Sequence, residues 1–169
     1  MKIRQATVSD LDGMVEVDRK AFGEYGSEKK YFIKKLSSFP GGVLVFEDEG
    51  KITGFFVFEI LAKNDVPEDF CDIKLNEPIK GKWMHAVAFT GPTNYKDKIS
   101  ESKLLLAGEK IAKGLGCVES YVPLSKNHPF KKNGVFKFWE LNSYKKVGEI
   151  KWKCSATEFI ECFLYKKSF

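Results

Sequence analysis

The four cysteines of this chain, Cys71, Cys117, Cys154 and Cys162, form no Cys-x-x-Cys pair. That spacing argues against a zinc site and leaves free thiols in a reducing cytoplasm as the expectation. Long apolar runs are also lacking. The longest, Gly54–Leu61 and Trp83–Phe89, fall far short of the roughly 20 residues a membrane helix needs. The chain opens Met1-Lys2-Ile3-Arg4 and passes directly into a strand pattern, without the apolar core of a signal peptide. No internal repeat, low-complexity tract or linker divides it. With 169 residues, it reads as one domain spanning 1–169 with a sizeable core.

Aromatic side chains and lysines are plentiful by contrast. Fifteen phenylalanines are many for this length and point to an aromatic core with room for an apolar groove. The net charge is +5, and lysines gather at Lys131, Lys132, Lys137, Lys145, Lys146, Lys151 and Lys153. Three sources compete for that charge: a solvated face, a site for the phosphates of a nucleotide cofactor, and a nucleic-acid surface. The first two are preferred, because nucleic-acid binding needs a tighter interleaving of lysine with aromatics.

Periodicity sets out the elements. Lys2–Ala6 alternates as a strand. Ser9 and Asp12 make a capping box for a helix reaching about Phe22, whose apolar face is Leu11, Met14, Val15 and Phe22. Ser27 caps a second helix ending near Pro40. Val43–Glu47 and Ile52–Leu61 are strands joined by a hairpin turn. Ala62–Lys82 has no period and carries Pro67 and Pro78, so it reads as a long loop. Trp83–Phe89 is apolar on both faces and should be central. Ser100–Lys113 is a helix stopped by Gly114 and Gly116, and Cys117–Val122 is a strand. Val135–Asn142 is a short helix running into a strand at Tyr144–Trp152. Glu158–Lys166 completes the series.

The segment from Val135 to Gly148, with Phe138, Trp139, Glu140, Ser143, Tyr144, Val147 and Gly148, resembles the region near the C-terminus of GNAT-superfamily N-acetyltransferases. The opening Ile3-Arg4, Ala6-Thr7 and Asp10 is similar to that family's first strand and helix start. The element order (strand, two helices, three strands, helix, strand, helix, two strands) is also the GNAT order, and the resemblance covers nearly the whole chain. It implies an α/β (mixed α+β) GNAT-like fold, with a central, mostly antiparallel mixed sheet flanked by about four helices. It further implies an acyl-CoA cosubstrate such as acetyl-CoA, no metal, a cytoplasmic setting, and a small amine or peptide amine as acceptor. A homodimer is compatible with it.

In the family the central strand leads into Arg-Gly-x-Gly-x-Gly, where backbone N–H groups at a helix start hold the CoA diphosphate. The physics is general: unpaired donors and the positive end of the helix dipole converge on an anion. Val87, Ala88 and Phe89 match the strand end, and Lys96 stands where arginine is common. Asp97, Ile99 and Glu101 replace all three glycines, and the preceding loop is longer than the family's spacing. Two readings follow. In one, the helix start still binds phosphate, aided by Lys96, Lys98, Ser100 and Ser102, with the backbone of Ile99 and Glu101. In the other, Ser100 is only a cap, and Asp97 and Glu101 repel phosphate.

The resemblance draws the oxyanion donor from backbone at Val87–Phe89. For the base, His85 and Glu59 are the candidates. His85 shares a face with Trp83 and Val87, and Glu59 lies on the neighbouring strand. Trp139 occupies the place of the family's tyrosine acid, where its ring is expected along the thiol arm of the cofactor. An indole N–H can hydrogen-bond but is no useful acid. Asn127 or Asn133 matches the family's cofactor-contacting asparagine. His128 reads as a solvent-exposed turn residue, and Cys117 as buried and inert. Asp65, Glu68, Asp69, Asp72 and Glu77 crowd the long loop, which in the resembling family shapes the acceptor groove; they imply a cationic acceptor, or serve only to keep the loop solvated. Two function classes stay open: an acyl-CoA-dependent N-acyltransferase, and an inactive GNAT-fold module binding an acyl-CoA or another ligand as a sensor or partner.

Overall fold

The structure, a computed structural model, describes residues 2–68, 70–71, 79–153 and 158–169. Twelve elements follow in the order β1 (Lys2–Gln5), α1 (Leu11–Phe22), α2 (Lys29–Ser38), β2 (Val43–Asp48), β3 (Lys51–Leu61), β4 (Phe70–Cys71), β5 (Lys82–Thr90), α3 (Lys98–Gly114), β6 (Cys117–Ser125), α4 (Val135–Leu141), β7 (Lys145–Lys153) and β8 (Phe159–Ser168), with short 3-10 turns between some of them. The strands form one sheet in the order β1-β2-β3-β5-β6-β8-β7-β4. Every neighbouring pair is antiparallel except β5 and β6. The strand expected to be central, β5, is central, and its two apolar faces are covered from both sides.

Three of the departures from the sequence expectation have a clear local reason. The first cap is made by Thr7 and Asp10 rather than Ser9 and Asp12. The Asp10 carboxylate accepts from Thr7 N–H at 2.7 Å and from both ends of the Arg4 guanidinium at 2.7 and 2.8 Å. Helix α3 starts two residues early because Asp97, not Ser100, supplies the capping carboxylate. The long loop is interrupted by β4, whose two residues pair with Trp152 and Lys151 of β7. A strand so short leaves no periodicity to read. Asp69, Asp72 and Glu77 of the acidic loop lie outside the described residues.

One face of the sheet carries α1 and α2, with Leu11, Met14 and Phe32 packed on Val43, Val45, Phe55 and Val57. The other carries α3 and α4, with Leu104, Leu105, Ala112, Val135, Phe138 and Trp139 over Phe56, Phe58, Met84, Ala86 and Phe89. Gly108 lets α3 approach closely: a β-carbon there would stand 2.4 Å from the Phe56 ring. A third apolar cluster joins Phe70, Ile79, Trp83, Tyr121, Ile150, Cys162 and Leu164. It draws the β4 edge round until the Phe70 ring lies 4.8 Å from that of His85, four strand positions away in the sheet order.

Candidate functional site

Strands β5 and β6 pair at only four positions, from Lys82 with Cys117 to His85 with Tyr121. Beyond His85 they part. β6 continues against β8 as far as Ser125, and β5 runs on to Thr90 with β3 as its one strand neighbour. Where they part, β5 carries a bulge. Val57 pairs with Ala88 and Phe58 with Ala86, so Val87 is the extra residue. A bulge of this kind turns backbone groups out of the ladder and re-aims side chains. Val87 and Ala88 consequently both pack toward α1 and α2, while Ala86 and Phe89 pack toward α3 and α4.

The two candidate bases meet beside this point. Glu59 and His85 are cross-strand partners in the register of β3 and β5. Glu59 Oε2 lies 3.6 Å from His85 Nδ1, and its Oε1 accepts from Lys35 of α2. That His85 contact is longer than a hydrogen bond. His85 and Lys35 together hold the Glu59 carboxyl down at about 2, against the opposing effect of burial. Glu59 is therefore a fixed anion at neutral pH and a poor proton acceptor. His85 is 3 % exposed, flanked by the rings of Phe70 and Trp83. Further along the same face, Thr90 donates to the buried Asp18 at 3.4 Å, and Ser27 N–H donates to Asp18 at 2.5 Å. Burial pushes the Asp18 carboxyl up.

On the opposite face the parted strands are filled with rings. Phe89 stands 5.4 Å from Phe138, 5.7 Å from Trp139 and 6.0 Å from Tyr95. Tyr95 also touches Phe130, Phe138 and His128. It comes from the loop after β5, where Asn94 and Tyr95 both adopt positive φ, 52° and 68°. Non-glycine residues take that conformation rarely, and only when neighbours hold them there. The hold here is explicit: Asn133 of the α4 approach donates to Asn94 O at 2.9 Å, and Lys98 Nζ to Tyr95 O at 3.2 Å.

The N–H groups of Ile99, Ser100 and Glu101 at the start of α3 are engaged within the chain. Asp97 Oδ1 accepts from Ile99 N at 3.1 Å and Ser100 N at 3.4 Å, while Ser100 Oγ donates to Asp97 Oδ2 at 2.6 Å. Asp97 N donates to Thr93 Oγ1 at 2.6 Å. Glu101 turns inward and is wholly buried. Its Oε1 accepts from Tyr95 N at 2.5 Å, Thr93 Oγ1 at 3.1 Å and Thr93 N at 3.3 Å. Gly91 makes room for it, since a β-carbon there would lie 2.4 Å from Glu101 Cγ and Oε1. Among the described residues Glu101 Oε2 has no hydrogen-bond partner. Burial raises the Glu101 carboxyl against the pull of those donors, whereas the Ser100 hydroxyl and N–H lower that of Asp97.

No protein-family model and no curated protein matches the chain. Solved structures do. A GNAT-like decarboxylase, GphF, in complex with isobutyryl-CoA superimposes with a TM-score of 0.76 at 14 % identity, over 99 % of each chain. The PaiA N-acetyltransferase of Thermoplasma acidophilum, in complex with coenzyme A, gives 0.68 at 17 % identity, over 99 % of this chain and 98 % of that one. The NatB acetyltransferase complex bound to CoA and MES gives 0.71 at 14 % identity, over 100 % of this chain and 99 % of that one. The chain has the GNAT fold.

Against the GNAT expectation, the residues divide into three groups. Glu59, His85, Val87, Ala88 and Phe89 come together around the bulge. Lys96, Lys98, Ile99, Ser100, Glu101 and Ser102 do cluster at the start of α3, but Ser100 and Glu101 are buried and Ser102 Oγ accepts from Asn142 of the α4 end. Asn127 stands apart as an exposed turn residue, its N–H on Ser125 Oγ. Trp139 exposes none of its surface, packing on Phe89, Phe138 and Tyr144, and its indole N–H has no partner among the described residues. One expectation is corrected outright. His128 is no solvent-exposed turn residue, because Phe22, Tyr95 and Phe130 surround it and its Nδ1 accepts from Phe130 N–H. Lys35 and Asp18 were missed; both sit on helices with no motif around them.

Proposed function

We propose that this chain is an acyltransferase that takes its acyl group from a CoA thioester, most simply acetyl-CoA, and delivers it to an amine. The observation that carries the reading is the Val87 bulge at the parting of β5 and β6, two residues from the Glu59–His85 pair. Backbone freed from the ladder at such a point supplies donors for a carbonyl oxygen as negative charge develops on it. Lys96 and Lys98, with the backbone of the loop that leads into α3, would hold the diphosphate. The donor would supply an activated acyl carbon.

The chemistry then falls to few groups. The incoming amine attacks the thioester carbonyl. His85 takes its proton, since Glu59 is held too acidic to do so and serves instead to orient the imidazole. The C–S bond breaks, and the thiolate takes a proton from water, because Trp139 offers only an indole N–H. A cationic acceptor suits the anionic Glu59, and both small amines and peptide amines meet that description.

His85→Gln should leave CoA binding intact and lower transfer by about 100-fold or more, the usual weight of a general base. Calorimetry with CoA and a thiol-release assay over an amine panel measure both. Equal turnover in the variant would remove His85 from the mechanism. A second reading is favoured by Asp97 and Glu101 on the α3 donors: a GNAT-fold module with no transfer activity. Binding of neither CoA nor acetyl-CoA by the wild type would select it.

A further inference from the structure

Resting on the acyltransferase reading, we propose that Glu101 is a built-in competitor for the acyl donor's diphosphate, so that the side chain and the cofactor take turns on the same backbone donors. Three independent features carry this. Its Oε1 sits on the N–H groups of Thr93 and Tyr95 and on the Thr93 hydroxyl, the arrangement an anionic oxygen takes in a backbone cradle. Its Oε2 is buried with no partner among the described residues, so the carboxylate is only half satisfied where it lies. An incompletely paired buried carboxylate is costly and has a reason to leave when a better-placed anion arrives. The loop that presents the donors is itself held in positive φ at Asn94 and Tyr95.

The surroundings fit an exchange of anions rather than a permanently closed core. Lys98 Nζ donates to Tyr95 O at 3.2 Å, on the loop whose Thr93 and Tyr95 donors Glu101 occupies, and a β-carbon on Gly134 would lie 3.6 Å from that same Nζ. A diphosphate entering there would gain the Lys98 cation as Glu101 withdraws. The device makes the chain discriminate by charge. Thioester donors lacking phosphate would not need to displace Glu101, whereas CoA would.

The test compares CoA with pantetheine, which has the thiol arm and no phosphate, by calorimetry on wild type, Glu101→Gln and Glu101→Ala. Melting temperature establishes that each variant is folded, and the isosteric glutamine guards against a collapse caused by the alanine cavity. Competition predicts that CoA binds about tenfold more tightly to at least one folded variant, with pantetheine affinity unchanged within about twofold, a tenfold change being 1.4 kcal/mol. If wild type binds CoA and both variants bind it no more tightly, Glu101 is not a competitor and the acyltransferase reading survives. If no form binds CoA, both fall. A gain that appears equally for pantetheine would assign the effect to general loosening of the loop and overturn the proposal.

Discussion

His128 shows how a single residue can be misjudged and why it matters. Flanked by Asn127 and Pro129, it has the neighbours of a turn, yet three rings enclose it and hold its imidazole down at about 4, the cause being burial. A folded-state value below the ordinary 6.5 means that protonation favours the unfolded chain. Stability from this residue is therefore complete above about pH 6.5 and is lost as pH falls toward 4. His128→Gln, which keeps an acceptor for Phe130 N–H but does not titrate, should remove on the order of 1–3 kcal/mol of that acid-linked loss. Denaturant melts at pH 7 and pH 4.5 would show it, and identical losses in both proteins would refute it. The Glu59–His85 pair, by comparison, was legible from sequence in part. The sequence puts them on neighbouring strands as alternative bases; their register comes only from the fold, because β3 and β5 are joined by the long segment that carries β4. Glu101 was not legible, because whether a carboxylate on the first helical turn points out to water or back under its own loop depends on Gly91, ten residues earlier, leaving the space.

Among the elements, α3 and the strands beneath it were readable, and their spacing was not. Continuous apolar runs in β2, β3 and β5 and the apolar face of α3 give the order of the elements. They say nothing of the bulge at Val87, which is one extra residue in an otherwise regular strand, or of β4, which is two residues long. Nor do they give the depth at which α3 lies. That depth is fixed by Gly108, where the helix rests on Phe56 and Phe58 with no β-carbon between. Gly108→Ala adds helix propensity but forces α3 off the sheet. The steric term should win, with a net loss of about 1–3 kcal/mol. A thermal melt decides the sign, and a stabilised variant would mean that the helix shifts at little cost. Because the N-terminus of α3 also holds Asp97 and Glu101, a tilted helix should disturb the site as well.

At the scale of the molecule, the sheet is two four-stranded halves, β1-β2-β3-β5 and β6-β8-β7-β4, meeting along four residue pairs. The chain does not respect this division. After β3 it leaves the first half, adds β4 to the far edge of the second, and returns to lay down β5 beside β3. Topologically this is a stitch: one thread passes round the second half and is tied again in the first. A fabric joined so weakly along its seam is kept from tearing by what the thread catches, and here that is Phe70, 6 % exposed and in contact with His85. Phe70→Ala should cost about 3–5 kcal/mol as a buried aromatic truncation. Native-state hydrogen exchange should then show β7 and β8 opening ahead of β2 and β3, where the wild type opens them together. Uniform loss of protection would mean that the seam needs no thread. If the stitch holds, cutting the backbone between β3 and β5 would leave every strand present and the garment unsewn, its two halves free to slide along the seam between β5 and β6.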